Sequence, residues 1–94
     1  MSKVVLSGCI LVPESELRQV KAALAKHILL TRAESGCLVF NVTACPSDKT
    51  RFDVYEEFES AAAFKFHQQR VATSSWGTCT KNVTRYYNIE GLDE

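Results

Sequence analysis

The chain has 94 residues, 46% of them hydrophobic, with only four glycines and two prolines. That is room for one domain and not two, so residues 1–94 read as a single α+β domain, with residues 90–94 as a polar tail. Eleven Lys and Arg balance eleven Asp and Glu with no one-signed stretch, which leaves neither the basic surface that nucleic-acid phosphates require nor a polybasic membrane anchor.

Val4 to Val12 is rich in β-branched residues, is bounded by Pro13 and predicts a buried strand, with Gly8 marking a bulge or a close approach. Pro13-Glu14-Ser15-Glu16 then opens a helix with acidic residues in its first turn. Leu17, Val20, Leu24, Ile28 and Thr31 lay one stripe along that helix, which should run to about Glu34 and stop at a left-handed Gly36. Cys37 to Ala44 predicts a strand with Leu38, Phe40 and Val42 on one face and Asn41 on the other. A polar turn over residues 45–50 leads into a third strand, Arg51 to Phe58, where Phe52, Val54, Glu56 and Phe58 alternate with Asp53, Tyr55 and Glu57. Ser60 caps a second helix, Ala61 to about Val71, with Ala63, Phe64, His67 and Val71 on one face. Residues 72–80 predict a short helix or turn carrying Trp76, and Lys81 to Ile89 a last strand.

The order β-α-β-β-α-β predicts a ferredoxin-like fold, a four-stranded antiparallel sheet with both helices on one face. The opposite face also reads as largely apolar or aromatic, and pairing two such faces in a homodimer would cover it. Cys9, Cys37, Cys45 and Cys79 form no closely spaced pair, so they predict reduced, mostly buried thiols and no metal site. The apolar start at Val4 is broken by Ser7, Gly8 and Pro13, and no apolar run approaches the ~20 residues of a membrane span. A cytoplasmic location follows as the expectation, and the Asn-x-Thr triplets at Asn41 and Asn82 carry no weight there.

Three stretches occur together: Arg32-Ala33-Glu34-Ser35-Gly36-Cys37-Leu38 with Phe40-Asn41-Val42, then Arg51-Phe52 with Tyr55-Glu56, then Ala62 to Phe66-His67. In this order they resemble the antibiotic biosynthesis monooxygenase (ABM) family over almost the whole chain. The resemblance implies a dimeric α/β barrel built from two chains, a pocket between sheet and helices, and oxidation of a small aromatic or quinol-like substrate with no metal, flavin or other cofactor. One branch of the family, which resembles this chain in Arg51-Phe52, Tyr55-Glu56 and Phe66-His67, is implied to isomerise a quorum-sensing signal. Haem-degrading relatives are implied to carry tryptophan where this chain has His67 and an axial histidine further along; no histidine follows His67 here.

His67 is the leading catalytic candidate, because an inward imidazole can deprotonate a hydroxylated substrate. Its structural alternative is a core histidine bonded to Glu56 or Tyr55. Glu56, on an otherwise apolar strand face, must pair, hydrogen-bond or protonate. It would either orient His67 or pin the second helix. Asn41 could hold a substrate carbonyl, and Trp76 and Tyr86 could stack on a flat ligand; Tyr55 of the shared motif completes the substrate-binding candidates. Three functions follow: a cofactor-independent monooxygenase or oxidase, an isomerase of a small signalling or sugar-derived ketone, and a non-enzymatic ligand-binding dimeric module.

Overall fold

The computed structural model describes residues 3–92. Its elements are β1 (Val4–Leu11), a single 3₁₀ turn (Glu14–Glu16), α1 (Leu17–Arg32), β2 (Cys37–Cys45), β3 (Asp48–Phe58), α2 (Ala61–Ala72), α3 (Ser75–Cys79) and β4 (Thr84–Glu90). All strand pairs are antiparallel, in the order β2-β3-β1-β4. The ferredoxin-like arrangement read from the sequence is therefore present.

The α/β barrel implied by the resemblance is not. β2 and β4 are the two edges of an open sheet. Four strands do not close on themselves, since even small barrels use about eight. The expected dimeric barrel is thereby corrected to an open four-stranded sheet.

Strand alternation sets the two faces of this sheet. Val4, Leu6, Ile10, Phe40, Phe52, Val54 and Phe58 are buried on the face that receives the helices, and Val20 of α1, Phe64 of α2 and Trp76 of α3 complete the core. Burying about a dozen such side chains is the main favourable term in a domain this small. No helix among the described residues is long and apolar enough to cross a membrane.

Several local expectations are refined. Leu38 is the extra residue of a β-bulge between the Cys37–Phe58 and Val39–Glu57 pairs; it turns outward and is 52% exposed instead of sharing the Phe40 face. The β2–β3 turn is tighter than expected, because Cys45 already pairs with Asp48. Val83 is buried yet precedes β4, its N–H donating to the Thr80 carbonyl in a turn.

The two informative glycines act differently. Gly8 has φ +152°, and a Cβ there would collide with the Tyr86 carbonyl of the neighbouring strand, so the expected close approach is its reason. Gly36 does not adopt the left-handed conformation; positive φ among the described residues is confined to Gly8 and Gly91. A Cβ on Gly36 would instead collide with the Cβ of Ala63, which lets the start of α2 press onto the end of the α1–β2 connection. Of the four free cysteines only Cys9 is buried, the other three being half-buried.

Candidate functional site

A cavity of about 330 Å³ opens between the sheet and the helices, within the range of small-molecule sites. Every helix and three of the four strands contribute to it: His27 from α1, His67 from α2, Trp76 from α3, and Leu6, Glu56 and Tyr87 from β1, β3 and β4.

His67 reaches the cavity because α2 starts where Ser60 caps it, the hydroxyl accepting from the Ala63 N–H at 3.1 Å. Three residues beyond Phe64, His67 falls on the buried face. Its Nδ1 lies 3.0 Å from Glu34 Oε2, and Arg70 one turn later donates its Nε–H to the same oxygen at 2.7 Å. Arg70 also donates to the Thr31 hydroxyl at 2.9 Å, fastening α2 to the end of α1. Burial holds the His67 pKa below its ordinary value despite the opposing effect of its hydrogen bond to the Glu34 carboxylate. A neutral ring whose Nδ1–H donates to a carboxylate keeps its Nε2 lone pair free. That nitrogen is 4.0 Å from Glu56 Oε1, too far for a hydrogen bond.

Glu56 is 5% exposed, and its Oε1 has no hydrogen-bond partner. Burial, with the Glu34 charge adding to it, pushes its pKa up to about 7. A carboxylic acid is thus poised to give or take a proton near neutrality. His27 lies flat against Trp76, ring centroids 4.5 Å apart and planes within 7°, while Phe40 meets it edge-on at 5.4 Å. Burial, reinforced by any proton on His67 and by the neighbouring Arg70 and Arg85 guanidinium groups, brings its pKa down to about 3.

Of the sequence candidates, His67, Glu56 and Trp76 meet at this cavity. Asn41, Tyr55 and Tyr86 do not; the strand registers place them on the opposite face of the sheet, with Asn41 beside Tyr55 and Tyr86 beside Cys9. There Asn41 accepts from Arg32 Nη2 at 3.3 Å, while Arg32 also donates to the Phe40 carbonyl from Nε at 3.0 Å and from Nη2 at 2.8 Å. Tyr55 donates its hydroxyl to Glu57. Tyr87, the next residue after Tyr86, lines the cavity. The partner of His67 is Glu34, and not Glu56 or Tyr55 as the structural alternative had it.

Sequence reasoning passed over His27, Glu34 and Arg70. His27 lay beside the stripe drawn through Ile28, but it occupies the buried slot while Ile28 is only half-buried. Glu34 stood inside the quoted motif, and an acid there with a histidine in the next block was the available signal.

An open ferredoxin-like sheet with His67 and the buried Glu56 lining a cavity of small-molecule size beneath its helices defines the class, an α+β protein of ferredoxin-like fold. The chain belongs to the antibiotic biosynthesis monooxygenase family, whose pattern matches residues 5–76. Among solved structures, MupZ from Pseudomonas fluorescens is similar, with TM-score 0.77 and 21% identity over 95% of this chain and 67% of that one. A putative antibiotic biosynthesis monooxygenase from Nitrosomonas europaea gives 0.76 and 20% over 95% and 88%, and one from Deinococcus radiodurans 0.72 and 20% over 97% and 93%. At these identities the structural likeness speaks for the fold. No curated protein matches the chain.

Proposed function

We propose that this protein is a cofactor-independent monooxygenase or oxidase of a small aromatic or quinol-like substrate. The observation that carries the reading is His67: Nδ1 is committed to Glu34, leaving Nε2 as a base beside a cavity of mixed apolar and polar lining that also holds Glu56. Membership of a family described as monooxygenases supports the oxidative chemistry. His67 would remove a proton from a ring CH₂ or hydroxyl, and the electron-rich anion would react with O₂. For a CH₂ beside a carbonyl the balance is complete: CH₂ and O₂ become C=O and H₂O. Glu56 would supply the proton with which the second oxygen atom leaves.

The presence of two proton carriers on one cavity favours a second reading, isomerisation of a ketone by moving a proton between neighbouring carbons. Oxygen uptake with a panel of anthrones, naphthols and quinols distinguishes the two. His67→Ala should slow uptake by about 10² or more, the usual contribution of a positioned base. Uptake at the wild-type rate in that variant would remove His67 from the chemistry, and turnover without uptake would favour the isomerase.

The reading includes a homodimer formed through the outer face of the sheet, which the exposed aromatic rings of Tyr55 and Tyr86 support.

A further inference from the structure

His27 is 6% exposed and Glu56 5%, and each holds a buried polar atom with no hydrogen-bond partner, Nδ1 in one and Oε1 in the other. Buried polar groups are almost always satisfied, so two unsatisfied ones at one cavity call for a partner from outside the chain, a water or a ligand oxygen. Both residues line the cavity that holds His67, and both also line a smaller chamber of about 20 Å³, together with Trp76 and Tyr87. That chamber has room for one oxygen-sized group and little more. Its remaining walls are Ile10, Phe40, Val42 and Val54, so the polar atoms of His27, Glu56 and Tyr87 set what can be held there.

We infer that His27, together with Glu56, binds a second oxygen of the substrate, distinct from the group that His67 deprotonates. The inference rests on the oxidative reading of the cavity and narrows it. A ligand would carry two oxygen functions on neighbouring positions of a flat ring, one facing His67 and one entering the chamber. His27 suits this role because its ring is fixed between Trp76 and Phe40. With a pKa near 3 it stays neutral, so it can accept from a hydroxyl at one nitrogen and donate from the other without bringing a charge. The ring centroids of His27 and His67 are 6.1 Å apart, close enough for one small ring to address both.

The test uses the whole protein without oxygen and two probes of equal ring size, 2,3-dihydroxynaphthalene and 2-naphthol. Binding is read by calorimetry and by the ring-nitrogen resonances of the two histidines in the chain. The diol should bind about tenfold more tightly and shift both histidines, whereas the naphthol should shift His67 alone. His27→Phe, which keeps an aromatic ring against Trp76, should bind the two probes equally. Failure of the wild type to distinguish them, including failure to bind either, overturns the inference; so does a full preference surviving in His27→Phe. Readmitting air separates this from the proposed reaction. A diol preference without oxygen uptake would sustain His27 and remove the monooxygenase, while uptake undiminished in His27→Phe would do the reverse.

Discussion

The carboxyl of Glu56 is almost wholly buried and no donor meets its Oε1, and this has a cost that depends on pH. Moving a carboxyl from its ordinary 4.5 to about 7 corresponds to roughly 3 kcal/mol. Below pH 4.5 the group is protonated whether the chain is folded or not, and it costs nothing. Between 4.5 and 7 the unfolded chain releases the proton and the folded one retains it, so stability falls as pH rises, with the full loss reached above 7. His27 runs the other way: its pKa drops from 6.5 to about 3 on folding, so its contribution is complete above 6.5 and is lost as pH falls. The two slopes oppose each other between about 4.5 and 6.5. Glu56→Gln, which cannot ionise, should match the wild type in urea unfolding at pH 4 and exceed it by up to roughly 3 kcal/mol at pH 8. A constant difference across that range would mean that Glu56 does not titrate as its burial dictates. At this scale much was legible, since an acid on the Phe52-Val54-Phe58 face must be special wherever it falls. The geometry of His27 was not, because helical periodicity does not tell positions 27 and 28 apart when both border the same stripe.

Elements bring these residues together, and their contact depends on Gly36. α2 carries His67 and Arg70, the connection after α1 carries Glu34, and the two meet only because Ala63 comes up against a residue with no side chain. Gly36→Ala must push the start of α2 away from β2. It should lower stability by about 1–3 kcal/mol, the usual range for overpacking, and loosen the Glu34–His67 hydrogen bond. Urea unfolding and turnover would both be measured; wild-type values in each would show that α2 yields without cost. The glycine was read as a helix stop, a reasonable inference from its position, since sequence order does not reveal a neighbour 27 residues away. The strands themselves were read well from alternation. Their errors are local: Leu38 keeps the apolar pattern through a bulge, and Val83 extends it beyond the ladder into a buried turn.

For the whole molecule, element order was enough to predict the sheet and its helix-covered face, while closure was not legible. Whether a sheet closes depends on which edges meet, and nothing in the alternation of β2 or β4 encodes that. The outer face is also more mixed than its apolar residues suggested. Lys3 donates to Glu57 at 2.8 Å, Tyr55 donates to the same carboxylate, and Arg51 donates to Asp53 at 2.9 Å from Nη2. Between these polar groups stand Val5, Leu11 and Val39, half-buried, with Tyr55 39% and Tyr86 58% exposed. Tyrosine is favoured in interfaces that combine apolar contact with hydrogen bonding, whereas ion pairs suit a rim. If this face joins two chains in solution, sedimentation at micromolar concentration should give a species twice the 10.5 kDa chain mass. Tyr86→Asp would place a charge at the contact, on the sheet face opposite the cavity, and should return the protein to the monomer while its circular dichroism stays that of the folded chain. A 10.5 kDa species alone in the wild type would leave the exposed tyrosines facing water and remove the dimer from the reading, without touching the His67–Glu34 pair, which lies wholly within one chain.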